Sequence, residues 1–428
     1  MARFVEVSVS YPIPHNWKWD SIGNYTKIKS GYPFDSEKFS DDPTGRQPLI
    51  RIRDILREST NTFTDECCPE EYIIHAGDIL IGMDGDFNVG KWNSDDALLN
   101  QRVCYIQSNS NCLLNDYLYY YLPGILKIIN NATPSVTVKH LSANTLRKTQ
   151  IPLPPLAEQQ RIVDRIESLF AKLDEAKEKA QAVVDSFETR KAAILHKAFT
   201  GELTAKWREE HGVRMESWEK YKFNELGTLE RGRSKHRPRN DPKLFGGKYP
   251  FIQTGDVARS GMYITEHTQT LSEVGAEQSK LFPKGTLCIT IAANIGDVSI
   301  LTYDCCFPDS VVGFTPNERT LSEYIYYLMS TLQREIEANA PATAQKNINL
   351  RILNDLLLDI PSVAEQTQIV NQVEYLFFQE QHAKEAAEAV LDQIDLMKKS
   401  ILARAFRGEL CTNDPSEESA VELLKQIF

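Results

Sequence analysis

No run of eighteen apolar residues occurs in this 428-residue chain, so no segment reads as a membrane-spanning helix. The opening residues, MARFVEVSVSYPIPHNW, lack the apolar core of a secretory leader, which makes the cytosol the expected compartment. Cysteine occurs 8 times, with neighbours at Cys67 and Cys68 and at Cys305 and Cys306, but never as C-x-x-C or at a Cys/His spacing suited to zinc. Free buried thiols in a reducing compartment are therefore expected, and no metal site.

Motifs of turnover are equally scarce. The phosphate-loop pattern G-x-x-x-x-G-K-[ST] is missing, because Gly246-Gly247-Lys248 has neither the leading glycine nor a following Ser or Thr. No G-x-G-x-x-G, H-E-x-x-H or G-x-S-x-G is present. The tandem prolines Pro154 and Pro155 precede Leu156 and not an aromatic, so the motif with which amino-methyltransferases hold an extruded base is absent. These gaps argue for recognition over catalysis.

A positive net charge is also lacking. The formal charge of −11 speaks against a nucleic-acid partner at first sight. Residues 363–428 carry more than half of that excess, however, and both globular segments are close to neutral, which leaves room for local basic faces.

What the chain does have is a repeat. Residues 157–203, from AEQQRIV to AFTGEL, return at 364–410, from AEQTQIV to AFRGEL, without a gap and with nearly half of the pairs identical. Both copies carry apolar residues at alternating steps of three and four, a heptad seam. In the first copy the seam is Ile162, Ile166, Leu169, Leu173, Val183, Phe187 and Ile194. In the second it is Ile369, Val373, Leu376, Val390, Ile394, Met397 and Ile401. Arg190 and Glu380 are its polar exceptions. Pro154 and Pro361 precede the copies, Gly201 and Gly408 follow them, and Ser362 with Glu365 forms a capping box. A helix over 157–199 would be about 64 Å long. One such helix alone would fit a simple hairpin or homodimeric coil; two in one chain favour an intramolecular antiparallel pair.

The repeat extends upstream. Tyr117, Tyr119 and Tyr120 match Tyr324, Tyr326 and Tyr327, Pro134 matches Pro341, and Lys139 matches Lys346. Trp17 and Gly31 match Trp218 and Gly232, PLIRIRDI at 48–55 matches PFIQTGDV at 250–257, and GDILIGM matches GTLCITI. The runs LIRIRDI, YIIHAGDILIGM, LCITIA and VSILTY read as strands, and the tyrosine segments as helices with a buried face. The fold class is thus α+β: two mixed α/β globules and two long helices with internal pseudo-twofold symmetry. Expected bounds are 1–155 and 205–361 for the globules, 156–204 and 362–411 for the helices, and 412–428 for a tail holding a short helix that folds back.

Positions shared by the halves, such as Trp17 with Trp218 and Asp54 with Asp256, are assigned to scaffold. Function belongs where the halves diverge, above all after the matched glycines. There Arg231, Arg233, Lys235, His236, Arg237 and Arg239 form a stretch without an acid, suited to DNA phosphates or guanine edges. The first half offers a thinner set: Arg46, Gln47, Arg51, Arg53, Lys91 and Arg102.

Globule, helix, globule, helix, with A-E-Q entering and G-E-L leaving each helix, closely resembles the specificity (S) subunit of type I restriction-modification systems, over essentially the whole chain. The resemblance implies two target recognition domains, each reading half of a split, asymmetric DNA sequence through the major groove. It implies an antiparallel coiled coil that sets their spacing and docks two methyltransferase subunits. Those partners would bring S-adenosylmethionine; a restriction subunit using ATP and magnesium could join them; this chain would hold no cofactor. The alternative is a coiled-coil adaptor between two protein-binding globules.

Overall fold

The computed structural model describes residues 10–57, 59–133, 138–234, 240–292, 296–338 and 350–420. Pro134, Pro341, Lys346 and the expected helix of the tail beyond Ala420 lie outside them. The chain forms two compact units, residues 1–181 with 389–428 and residues 182–388. Each unit therefore takes one globule plus half of each long helix, a division unlike the bounds expected from the sequence.

In the first unit the strands that frame the site are β1 (Thr26–Ser30), β2 (Gln47–Ile50), β3 (Ile79–Gly82), β4 (Val89–Lys91), β5 (Ala97–Leu99) and β6 (Val103–Ser108). They precede the helix α1 (Asn115–Ala132). β1, β6, β3 and β4 form an antiparallel sheet in that order. β2 runs parallel to β5, with Leu49 opposite Leu98. α1 turns Tyr117, Tyr121, Ile125 and Ile129, at steps of four, onto the sheet. The Tyr117 and Tyr121 hydroxyls donate to the carbonyls of Pro152 and Gln150, both at 2.7 Å, so the tyrosines are core with a polar anchor. Burial pushes the Tyr117 phenol well above its ordinary range and keeps it a donor.

The second unit repeats this plan with β7 (Gly227–Arg231), β8 (Phe245–Phe251), β9 (Leu287–Thr290), β10 (Val298–Leu301), β11 (Cys305–Cys306) and β12 (Val311–Pro316). β7, β12, β9 and β10 are adjacent in that order, and β8 runs parallel to β11 with Phe251 opposite Cys306. Matching strand order and register confirm the duplication. The expected strand LIRIRDI ends early, at Ile50, because the Asp54 carboxylate accepts the Arg51 N–H at 2.9 Å and turns the chain into a 3-10 helix, Ile52–Asp54.

The two long helices differ. The second is one helix, Val363–Ala405, of 43 residues. The first is broken at Ser186 into Leu156–Asp185 and Phe187–Phe199, which corrects the expectation of a single rod. The cause is local: the Ser186 hydroxyl donates back to the Ala182 carbonyl at 2.5 Å, and Arg190 donates to Ser186 and to the Val183 carbonyl.

Within residues 182–388 the helices run antiparallel. Lys191 faces the ring of Phe377, Arg190 pairs with Glu380 at 2.5 Å, and Lys384 lies over the ring of Phe187, so numbers rise along one helix as they fall along the other. The two polar exceptions of the seam are each other's partner. In the other unit Asp174 and Phe170 meet Lys398, and Ile162 and Ile166 share a core with Ile401 and Ala405.

Of the expected seam, Ile162, Ile166, Phe187, Ile369, Val373 and Ile394 are buried, while Leu169, Leu173, Val183, Ile194, Leu376 and Ile401 are half-buried. Val390 and Met397 are corrections, being 41% and 47% exposed. The covered positions there are Ala387, Leu391, Ile394 and Lys398, at steps of four, three and four. That spacing is still a heptad, seven residues from Ala387 to Ile394 and from Leu391 to Lys398, with Leu391 and Lys398 taking the places expected for Val390 and Met397, one residue further on.

Candidate nucleic-acid interface

Each half builds one cleft where the parallel strand pair meets the antiparallel sheet. A glycine opens it. A Cβ on Gly31 would stand 2.2 Å from the Asn100 carbonyl oxygen, and one on Gly232 would stand 2.4 Å from that of Phe307. Only glycine allows so close a crossing. The N–H groups of Gly31 and Gly232 donate to the carbonyls of Val103 and Val311, both at 2.9 Å. Those of the next residues, Tyr32 and Arg233, reach the carbonyls of Leu99 and Phe307 at 2.8 and 3.2 Å. Hydrogen bonds thus superpose Asn100-Gln101-Arg102 on Pro308-Asp309-Ser310, and Tyr32 on Arg233.

The second wall is the turn after β2 or β8. Asp54 and Asp256 are 3% and 6% exposed, and each accepts the N–H of the residue three before it, Arg51 at 2.9 Å and Gln253 at 2.8 Å. Their assignment to scaffold holds in both halves.

The first cleft encloses about 520 Å³, and Arg51, Arg53, Arg102, Asn88 and Gln101 supply its polar lining together with Ser36 and Asn100. Arg51 lies 5.7 Å over the ring of Phe39. Arg53 donates to the Thr62 hydroxyl at 3.0 Å, and Arg102 to Asp84 at 2.7 Å. Three of the six candidates of this half therefore converge. The others do not line it: Arg46 pairs with Asp42 at 3.1 Å, Gln47 is exposed at the start of β2, and Lys91 pairs with Asp116 of α1 at 2.6 Å.

The second cleft encloses about 190 Å³ and takes its polar lining from Arg233, Ser234, Gln253, Gln278, Ser279 and Ser310. Arg231 is exposed and donates to the Asp309 carbonyl. Lys235, His236, Arg237 and Arg239 lie outside the described residues. Sequence reasoning missed Asn88, Gln101, Gln253, Gln278 and Ser279. Only Gln253 had a readable signal, as the partner of Arg51 in the matched PLIR and PFIQ.

It also missed what A-E-Q does. Glu158, Gln159, Glu365 and Gln366 are fully buried. Trp17 Nε1 donates to Glu158 at 2.8 Å, and Trp218 Nε1 to Glu365 at 3.1 Å. Gln159 accepts the Leu114 N–H at 2.9 Å and donates to the Cys112 carbonyl at 2.8 Å. Gln366 accepts the Leu321 N–H at 3.0 Å and donates to the Arg319 carbonyl at 2.9 Å. In both halves the motif bolts the start of a long helix to its globule.

Comparison with known proteins agrees with this doubled plan. A family model described as the type I restriction modification DNA specificity domain matches twice, at residues 14–184 and 215–387. The chain belongs to that family. It is 30% identical to the EcoBI specificity subunit of Escherichia coli, over 97% of this chain and 92% of the relative. It is 25% identical to the EcoKI specificity subunit of Escherichia coli strain K12, over 97% and 95%. Among solved structures it is similar in fold to the HsdS subunit from Thermoanaerobacter tengcongensis, with a TM-score of 0.63 and 18% identity over 93% of this chain and 98% of that one. As a type I specificity subunit, the protein supplies DNA recognition and not catalysis. Among the described residues no helix is long and apolar enough to cross a membrane.

Proposed function

We propose that each cleft reads one half of a split DNA target, and that the long helices carry the methyltransferase subunits that modify it. The observation that carries this reading is the recurrence of one cleft at the same strand junction in both halves, with a constant scaffold and a changed polar lining. Two unlike linings on equivalent frames suit two unlike half-sites, as an asymmetric target requires. In the first cleft three arginines converge, and guanidinium forks match phosphate oxygens and guanine edges. Two methyltransferase subunits would bring S-adenosylmethionine, and restriction subunits with ATP and magnesium would complete a nuclease, in the cytoplasm. Catalysis would belong to those partners.

Arg53 and Arg102, each tethered to the scaffold, are assigned to phosphate contacts. The test is the salt dependence of DNA binding by the complex of this chain with its methyltransferase. Replacing both by alanine should lower the slope of log K against log salt by about 2 and leave the target sequence unchanged. An unchanged slope and affinity would remove the first cleft from the DNA interface.

A further inference from the structure

The two clefts differ in a side chain that stands on equivalent backbone, Arg51 in the first half and Gln253 in the second. Each follows an isoleucine, Ile50 at the end of β2 or Ile252 just beyond the end of β8, and each has its N–H fixed by a buried aspartate. Two identical mounts thus carry two different heads. Neither head is engaged by the scaffold as its neighbours are. Among the described residues the Arg51 guanidinium makes no hydrogen bond or ion pair, and it lies over the Phe39 face at 5.7 Å. Arg53 and Arg102 in the same cleft are tied to Thr62 and Asp84. Gln253 is exposed and donates one side-chain N–H to the Gln269 side-chain oxygen at 2.9 Å, which orients the amide and, among the described residues, leaves its own side-chain oxygen and second N–H open.

The chemistry of base edges distinguishes these heads. In the major groove guanine shows two acceptors, N7 and O6, which a guanidinium fork meets with two N–H groups. Adenine shows an acceptor and a donor, N7 and the N6 amine, which a carboxamide meets with its N–H and its carbonyl oxygen. We propose that this one position selects a base pair in each half-site: Arg51 a G·C pair through guanine, Gln253 an A·T pair through adenine. The proposal rests on the reading of the clefts as DNA-binding. It adds that the halves share a readout position and differ there by a single exchange.

The experiment uses the full chain with its methyltransferase partner in a host without adenine methylation, and sequences the methylated adenines. Arg51→Gln should move one base pair of one half-site from G·C towards A·T, with a change in preference of roughly 5- to 150-fold, and leave the other half-site as it was. Gln253→Arg should do the converse at one pair of the other half-site. Arg51→Lys, which keeps the charge but not the fork, should relax the same pair as Arg51→Gln. Native motifs methylated at native levels by both exchange variants would overturn the proposal, as would a change spread over both half-sites. Should Arg51→Gln yield no folded complex, Gln253→Arg decides alone, because Gln253 is a surface side chain bonded, among the described residues, only to Gln269. The alanine pair at Arg53 and Arg102 separates the two levels: if it weakens binding while the exchanges change nothing, only the base-selecting role falls. If it too has no effect, the cleft reading falls with it.

Discussion

Replacing Arg208 by alanine strips a buried carboxylate of its counter-ion, and the structure sets the size of the consequence. Glu365 is fully buried, and its Oε1 accepts from Arg208 Nη1 at 2.6 Å and from the Thr204 hydroxyl at 2.7 Å. Arg208 is only 8% exposed and also donates to the Gly201 carbonyl at 2.6 Å. Removing one member of such a pair leaves a desolvated charge and costs about 3–5 kcal/mol, where an exposed pair would cost under about 1 kcal/mol. Spread over a unit of this size, that loss lowers the melting temperature by about 6–20 °C. Scanning calorimetry measures it, and hydrogen exchange locates it: peptides covering 199–220 and 357–370 should lose protection, while the matched region around Glu158 keeps its own. Arg208→Met combined with Glu365→Gln should be less destabilised than Arg208→Met alone, since no charge then remains buried and the amide still accepts from Trp218. A loss below about 1 kcal/mol, or equal deprotection around both glutamates, would refute this account of how the helix is bolted on.

Burial raises the Glu158 carboxyl above its ordinary value, against the hydrogen bonds from Trp17 and Asn413 that lower it. The folded state therefore holds this proton more tightly than the unfolded chain, so the stabilisation is complete below about pH 4.5 and is lost as pH rises through the folded value. Glu158→Gln should accordingly gain stability relative to the native protein between pH 4.5 and 8 in urea unfolding; a difference independent of pH would count against this. Arg190 and Glu380 pair while partly exposed, so a double-mutant cycle should give a coupling of about 0.5–1 kcal/mol, and leucine at both positions should raise the urea midpoint. A lower midpoint for the double-leucine protein would show that the seam needs its ion pair.

The sequence disclosed whatever was written twice. The starts of the long helices, the matched tryptophans and the Asp54/Asp256 pair were legible because two copies kept them, and Arg190 and Glu380 were legible as exceptions to one apolar pattern, though not as partners. What stayed hidden depends on contacts between residues remote in sequence or on the third dimension of a helix. Lys91 looked available, yet Asp116 of α1 takes it up, whereas Asp42 stands four residues before Arg46 and that pairing was readable. The break at Ser186 arises from a side chain competing for backbone carbonyls, which periodicity does not register. Val390 and Met397 fit a heptad on paper, but Leu391 and Lys398 fit one equally well, and it is those that the fold covers.

The matched glutamates show how one frame tolerates two different surroundings. Beyond Gly201 the chain enters the helix Ala205–His211, which returns Arg208 to Glu365. Beyond Gly408, Cys411 and Pro415 stand where Thr204 and Arg208 would be, and neither can supply those donors. The segment compensates by folding back: Asn413 donates to Glu158 at 2.9 Å, and Glu417 takes Arg161 through two bonds of 2.8 Å. An amide replaces a guanidinium, so among the described residues one oxygen of Glu158 has no donor while both oxygens of Glu365 have one. The tail after Leu410 thus completes the first helix entry with a neutral group where the second uses a charge. That difference in charge is why two glutamates at the same place in the repeat should answer oppositely to neutralisation, one with a gain at neutral pH and the other with the stranding of Arg208.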